Sequence, residues 1–235
     1  MVAENRFPAA ASGKIDVPFA PGLNPPVFSF SLWARVTGGS GTYRSPLTSR
    51  SAAPLSGYAL YAAPDDTWLL LFGGLDVGDQ PAWQSLHGPA VEAGTWTHLA
   101  VTHDGSRAAL YVNGSEVASA TRSYLPNLTR PLRIGTGATE GDGQFPFLGD
   151  VDEVAVFDYA LTAPQVAQQF AANAALPRLQ IERAGATVRL LWTADGALEA
   201  AELPQGRWQE IPGAASPWTV TSAATQRFFR LRLAP

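Results

Sequence analysis

The segments TWTHLAVTHDGSRAALYVNGSEVA (Thr95–Ala118) and FLGDVDEVAVFDYAL (Phe147–Leu161) decide the fold of this chain. From Thr95 onward, successive side chains alternate between two faces, as they do in a half-buried strand. Asn113-Gly114 lies between two such strands and predicts a two-residue type I′ hairpin turn, because both central residues of that turn need φ > 0. The first segment therefore predicts three antiparallel strands, and the second predicts a further strand from Leu148 to Phe157.

The same alternation continues upstream in VFSFSLWARV (Val27–Val36). It predicts one core-facing set of residues, namely Phe28, Phe30, Leu32, Ala34 and Val36. Further short strands are predicted at 14–17, 47–50, 57–63, 67–72, 82–87 and 132–135, with turn residues between them. Short strands at this spacing are typical of an all-β sandwich or barrel.

These motifs resemble those of the bacterial laminin-G-like, concanavalin A-like jelly-roll family. The residues that carry the resemblance are the W-x-H-x-A-x-x-x-D-G and L-Y-V-N-G hairpin and the closing F-x-G-x-(I/V)-D-E-V strand. The resemblance covers residues 14–172 and implies an antiparallel jelly-roll β-sandwich that is extracellular or on the cell surface. It further implies that other domains of a larger parent protein are partners.

A helix is predicted after the last strand of the sandwich. Thr162 is a suitable N-cap, Pro164 suits the first turn, and Val166 and Phe170 lie four residues apart on one face. We expect this helix to end near Ala172 and to cover one end of the sandwich.

The composition changes at Pro177, and domains are predicted at 1–176 and 177–235. Short strand-like segments in the second domain resemble those of a small fibronectin-like β module. The predicted core of this small β-sandwich-like module is aromatic and consists of Trp192, Trp208, Trp218, Phe228 and Phe229.

The bulk composition excludes several functional classes. The net charge of −4 argues against a nucleic-acid partner, since such proteins present a basic patch to the phosphates. The absence of cysteine excludes disulfides and thiolate metal sites. No apolar run reaches the roughly 18 residues of a transmembrane helix, so membrane insertion is not expected.

Concanavalin A-like folds include glycosidases, and the relevant glucanases place three carboxylates at i, i+2 and i+4 of one strand. In this sequence Asp150 and Asp152 share a face, but Val154 takes the third position and Glu153 points to the opposite side. We therefore predict a domain that is not an enzyme, with a glycoside hydrolase as a remote alternative. Asp152 is expected to bind backbone amides or Arg50 instead.

A calcium site is a candidate in the loop Gly135–Phe145. Glu140, Asp142 and Gln144 offer oxygen ligands at alternate positions, between glycines that let the backbone wrap. The position resembles that of the calcium loop in pentraxin relatives of the fold, with Asp65-Asp66 or Asp76-Asp79 as further donors. The alternative is an acidic loop that is simply solvated.

Sugar recognition needs aromatic faces for stacking and planar polar groups for hydroxyls. Candidate ligand-binding residues in loops or at strand ends are Tyr43, Arg44, Trp68, Trp83, His87 and Tyr124. Tyr43 is preferred because it lies in a loop of glycine and serine with no core around it. The predicted function is a non-catalytic module that binds a polysaccharide or other glycan, and the alternative is a structural or adhesive domain that binds an extracellular protein.

Overall fold

The structure is a computed structural model that describes residues 5–7, 13–137, 144–174, 179–184, 187–192, 196–220 and 227–233. The chain divides into two compact units, unit 1 (Met1–Ala171) and unit 2 (Ala172–Pro235). In the described part of the chain, no helix has the length and apolar character needed to cross a membrane.

Unit 1 is built from strands joined by short turns. Its described strands are β1 (Asn5–Phe7), β2 (Ile15–Val17), β3 (Phe28–Val36), β4 (Arg44–Ala52), β5 (Leu55–Ala62), β6 (Thr67–Leu75), β7 (Pro81–Ala90), β8 (Trp96–His103), β9 (Arg107–Val112), β10 (Ser115–Thr121), β11 (Leu132–Ile134) and β12 (Gly149–Phe157). A 3₁₀ turn spans Pro21–Leu23, and helix α1 spans Ala163–Ala174.

These strands form two six-stranded sheets. The first sheet has the order β1-β12-β3-β8-β9-β10, and the second sheet has the order β2-β11-β4-β5-β6-β7. Every described pair within them is antiparallel. The predicted antiparallel jelly-roll β-sandwich is therefore confirmed.

The core lies between the two sheets. The alternate residues of β3 that were predicted to face inward, from Phe28 to Val36, are all buried in one cluster. In this cluster the ring of Tyr58 on the second sheet stacks on Phe28 and Phe30, at centroid distances of 5.2 and 4.8 Å. Aromatic packing thus joins the two layers at their centre.

The β9–β10 connection is the predicted hairpin turn. Asn113 and Gly114 have φ of 49° and 78°, the positive values that a type I′ turn needs. The Asn113 side chain also bonds to strand β8, because its Oδ1 accepts a hydrogen bond of 2.9 Å from the backbone N–H of His98.

Helix α1 begins where it was predicted. The backbone N–H of Thr162 donates to Gln165 Oε1 at 2.8 Å, and the backbone N–H of Gln165 donates to Thr162 Oγ1 at 3.4 Å. This reciprocal pair is a capping box.

Val166 of helix α1 is fully buried in a cluster with Ala100 and Tyr111, which face away from the core. The helix therefore packs on the outer face of the first sheet, and the prediction that it covers one end of the sandwich is wrong.

Unit 2 contains two small antiparallel sheets. Its described strands are β13 (Gln180–Ala184), β14 (Thr187–Leu191), β15 (Gly196–Ala201), β16 (Gln209–Glu210), β17 (Trp218–Thr219) and β18 (Phe228–Leu233), in the orders β13-β14-β17 and β16-β15-β18. Leu190 and Leu198 are its large fully buried side chains in the described residues. The aromatic residues predicted as its core, Trp192, Trp208, Trp218, Phe228 and Phe229, are only half-buried. In so small a unit, wide aromatic side chains reach the surface because little core exists to enclose them.

Candidate functional site

The outer face of the second sheet carries most of the partly exposed candidate residues. Along β5, Tyr58 and Leu60 belong to the core, whereas Tyr61 joins a separate cluster on the opposite face. The β6–β7 register continues this face onto β7, because His87 and Trp83 of β7 lie opposite Leu69 and Gly73 of β6. Side chains that are far apart in sequence therefore share one surface, which we call the outer face.

Tyr43 lies at the rim of the outer face and is 40% exposed. Its ring meets Tyr61 and Phe145 edge to face, at centroid distances of 5.3 and 5.6 Å. The backbone carbonyl of Phe145 accepts a hydrogen bond of 3.1 Å from Ser45, which ties Phe145 to the start of β4. Two anchored aromatic neighbours thus hold Tyr43 in place while part of its ring faces solvent.

Arg44 was expected to contact a ligand, but it is only 2% exposed and begins strand β4. Its guanidinium donates to the carbonyls of Gly38 (3.2 Å) and Ala63 (3.0 Å) and to Asp66 Oδ1 (2.5 Å). The hydrogen bonds from Ser40 and then Arg44 lower the pKa of Asp66. Arg44 therefore ties the loop before β4 to the turn between β5 and β6, and its predicted role as a ligand contact is corrected to a structural role.

Trp83 and His87 occupy the outer face of edge strand β7. Trp83 is half-buried, and the guanidinium of Arg50 lies 5.2 Å from its ring centroid in a cation–π contact. His87 is exposed, with its Nε2 3.4 Å from Ser85 Oγ. Because Trp83 and His87 are four residues apart on one strand, they lie about 13 Å apart along the face.

Two of the predicted ligand-binding residues lie elsewhere. Trp68 is 1% exposed and belongs to the core cluster between the sheets, so it cannot offer its ring to a ligand. Tyr124 packs on Phe28 at 4.8 Å, and its hydroxyl donates to Asn24 Oδ1 at 3.4 Å. Burial raises the pKa of Tyr124 well above its usual value. Both expectations are corrected: these side chains stabilise the sandwich.

Contributors to the outer face that were missed from sequence include Arg50, Tyr61 and Leu71. For Tyr61 a signal existed, because alternation along β5 places it opposite Tyr58 and Leu60. For Arg50 there was none, since its contact with Trp83 joins β4 to β7, which are not neighbours in the sheet.

Comparison with known proteins identifies the family. Residues 10–167 match the sequence profile of the concanavalin A-like lectin/glucanase superfamily. The chain belongs to this superfamily. A search of curated proteins gives no match.

Several solved structures resemble this concanavalin A-like domain in fold. The binding domain of Paraclostridial Mosquitocidal Protein 1 has a TM-score of 0.60 at 12% identity, over 89% of this chain and 56% of that chain, so this chain spans little more than half of that domain. The CBM40 of the Ruminococcus gnavus IT-sialidase, bound to α2,3-sialyllactose, has a TM-score of 0.55 at 14% identity, over 71% and 95%. Domain 4 of the arabinanase AbnA from Geobacillus stearothermophilus, in complex with arabinotriose, has a TM-score of 0.50 at 20% identity, over 72% and 80%.

Asp150 and Asp152 of β12 are bonded to groups of this concanavalin A-like domain itself. Asp150 is 1% exposed, and Arg35 donates to its Oδ2 through both Nε and Nη2 at 2.8 Å. Asp152 Oδ1 accepts a hydrogen bond of 2.8 Å from the backbone N–H of Glu153, which has φ of 50° at a bulge in the strand. Asp152 thus binds a backbone amide, as predicted, whereas Arg50 lies over Trp83 instead. At this bulge the regular register between β12 and β3 is interrupted.

The two histidines of strand β8 do not face each other. His98 and His103 are both buried and lie on opposite faces of β8. His103 is held by Arg122 O at 3.0 Å from its Nε2 and by the backbone N–H of Gly105, which donates to its Nδ1 at 3.1 Å. Within the described ranges, no group of three or more His, Asp or Glu side chains could hold a metal ion.

Of the three predicted calcium ligands, the structure describes only Gln144. Glu140 and Asp142 lie outside the described residues, and Gln144 is exposed. The backbone carbonyl of Gln144 accepts hydrogen bonds from Thr136 Oγ1 (2.7 Å) and from the backbone N–H of Gly137 (3.0 Å). Two carboxylates and an amide are chemically suited to calcium. Of the further donors considered, Asp66 binds Arg44 and Asp76 accepts from two backbone amides of its own turn.

Proposed function

We propose that unit 1 is a non-catalytic, extracellular recognition module that binds a glycan on its outer face. The observation that carries the proposal is the pair of partly exposed aromatic side chains, Tyr43 and Trp83, held on one face of a rigid sheet. Sugar rings present apolar C–H faces that stack on aromatic rings, and their hydroxyls need nearby polar groups. Arg50, Ser85 and His87 supply such groups on the same face.

The arrangement favours binding over hydrolysis. A retaining glycosidase needs two carboxyl groups about 5 Å apart that both reach the substrate. Here Asp150 is buried and neutralised by Arg35, so it has no access to a sugar. The rigid scaffold instead suits recognition, because a side chain that is already held in place loses little conformational entropy when a ligand binds.

The glycan proposal predicts a specific pattern of binding losses. Using a glycan array followed by calorimetry with the strongest array ligand, we expect Tyr43→Ala and Trp83→Ala each to raise Kd about tenfold or more. Tyr159→Ala is the matched control, because Tyr159 is 48% exposed but follows β12 of the first sheet. Thermal melting of each variant should stay close to that of the parent.

Two results would contradict the proposal. An array without any bound glycan would favour an extracellular protein partner, which is the alternative function. If the parent and both aromatic variants bound the array ligand with equal affinity, the outer face would not be the binding site of that ligand.

We further propose that calcium assists this domain through Glu140, Asp142 and Gln144. The ion would cross-link the loop before β12 and so stabilise the folded state. Ligand that binds only the folded state adds about 2.7 kcal/mol at a concentration of 100 Kd, so we expect the melting temperature to be higher in calcium than in chelator. The Glu140→Gln, Asp142→Asn double variant should lose this difference. Identical melting of the parent protein in calcium and in chelator would exclude the site.

A further inference from the structure

His98 lies under helix α1 on the outer face of the first sheet. It is 2% exposed, and its ring is 5.3 Å from that of Trp33 and 6.1 Å from that of Phe170 on the helix. Trp33 and Phe170 are themselves stacked at 5.8 Å. The three rings form the contact between the second half of the helix and the sheet.

This contact is poor in polar partners. Three buried side-chain atoms at the helix and the strands beneath it, His98 Nδ1, Trp33 Nε1 and Gln169 Oε1, have no hydrogen-bond partner in the part of the chain that the structure describes. The helix sequence APQVAQQFAANA contains no charged residue. The helix therefore offers no charged group that would neutralise a positive charge on His98.

The charged groups on this side of the first sheet are engaged elsewhere. Asp152 lies beside Trp33 in the register and accepts from the backbone of Glu153. Asp150 is paired with Arg35 one row further along the strands, and Arg107 is paired with Glu116 near Tyr111. Glu153 is exposed at the bulge. None of these residues, as described, makes a hydrogen bond to the His98 ring.

We propose that helix α1 is a pH-released latch, docked on the sheet while His98 is neutral and released when His98 is protonated. A positive charge on His98, buried at this contact with no counter-charge and no hydrogen-bond partner for Nδ1, is costly, and undocking the helix lets water reach it. Strand β8 separates from the sheet less easily than the helix does, because it is hydrogen-bonded to β3 on one side and to β9 on the other. Elements held mainly by side-chain contacts open at lower free energy than central strands.

The direction of the pH effect follows from the two protonation equilibria. Burial lowers the pKa of His98 to about 4 in the docked state, whereas a solvated histidine has a pKa of about 6.5. Between these values the released state binds more protons, so docking weakens as the pH falls. Above about pH 6.5 His98 is neutral in both the docked and the released state, and docking is strongest. Below about pH 4 His98 is charged in both states, and docking weakens no further.

Release of the latch would act at the junction of the two units. Helix α1 spans the boundary at residues 171 and 172, so it carries the chain from unit 1 into unit 2. Acidification would free residues 163–174 from the first sheet.

Hydrogen exchange tests the latch. For the full chain, we expect the protection factors of amides 166–174, corrected for intrinsic exchange, to fall about 20-fold between pH 7 and pH 5. Amides of β3 and β8 should keep their protection. In His98→Gln the helix should show no such fall, while His103→Gln, which changes the other buried histidine of β8, should behave as the parent does.

NMR titration of the unmodified protein provides a measurement that does not depend on a variant. The His98 imidazole should titrate below its usual pKa, and the helix amide shifts should change over the same pH range. The latch is refuted if the helix stays protected at pH 5, if the core strands lose protection together with it, or if His98→Gln loses helix protection as the parent does.

Discussion

Trp68→Ala is expected to lower the free energy of unfolding of unit 1 by about 3–5 kcal/mol. Trp68 is 1% exposed and packs in the cluster that joins the two sheets. Its removal takes a large apolar side chain from the core and leaves a cavity that the surrounding strands can fill only in part. Urea unfolding followed by circular dichroism would measure the change.

Trp83→Ala is the matched control for this loss. Both tryptophans lie in the second sheet, but Trp83 is half-buried on the outer face, so its replacement should cost clearly less stability. The pair also separates stability from recognition: Trp83→Ala should impair glycan binding, whereas Trp68→Ala should impair folding. A Trp68→Ala protein of unchanged stability would show that the inward orientation of Trp68 is wrong.

Asn127→Ala is expected to cost about 3 kcal/mol, the second-largest loss, because several buried hydrogen bonds disappear at once. Asn127 is fully buried, and its Nδ2 donates to Ser49 Oγ (3.0 Å) and to Arg130 O (2.9 Å). Its Oδ1 accepts from the backbone N–H groups of Thr129 and Arg130. The alanine variant would leave buried polar groups without partners at the end of the second sheet.

The adjacent Leu128→Ala provides the control, since Leu128 is 72% exposed and its truncation should change stability by less than about 0.5 kcal/mol. Chemical denaturation of both variants would show whether the effect belongs to the Asn127 side chain or to the loop in general. A loss of less than about 1 kcal/mol in Asn127→Ala would contradict the network.

Local features of the fold could be read from sequence because local chemistry determines them. The alternation in β3 and β8 identified the inward residues, Asn113-Gly114 identified the hairpin turn, and Thr162 with Gln165 formed the helix cap where Thr162 was expected. Each depends on residues within a few positions of one another. Their conformational preferences need no information from the rest of the chain.

The candidate site was less predictable because its residues belong to different strands. Trp68 and Trp83 look alike in sequence, but one faces the core and the other faces outward. Arg44 looked like an available donor, yet its guanidinium bonds to Gly38, Ala63 and Asp66. Such differences depend on register, and a shift of one residue would exchange the two faces of a strand.

The sequence by itself determined most strands of the sandwich, the hairpin turn and the helix start, since periodicity, turn chemistry and capping act over short distances, and its motifs resembled those of concanavalin A-like domains. Only the tertiary structure decided that α1 packs over His98, that Arg44 is buried, and that Tyr43, Trp83 and His87 share one face. Those outcomes depend on which distant strands become neighbours, and the pairing of two sheets is settled by packing across the whole core.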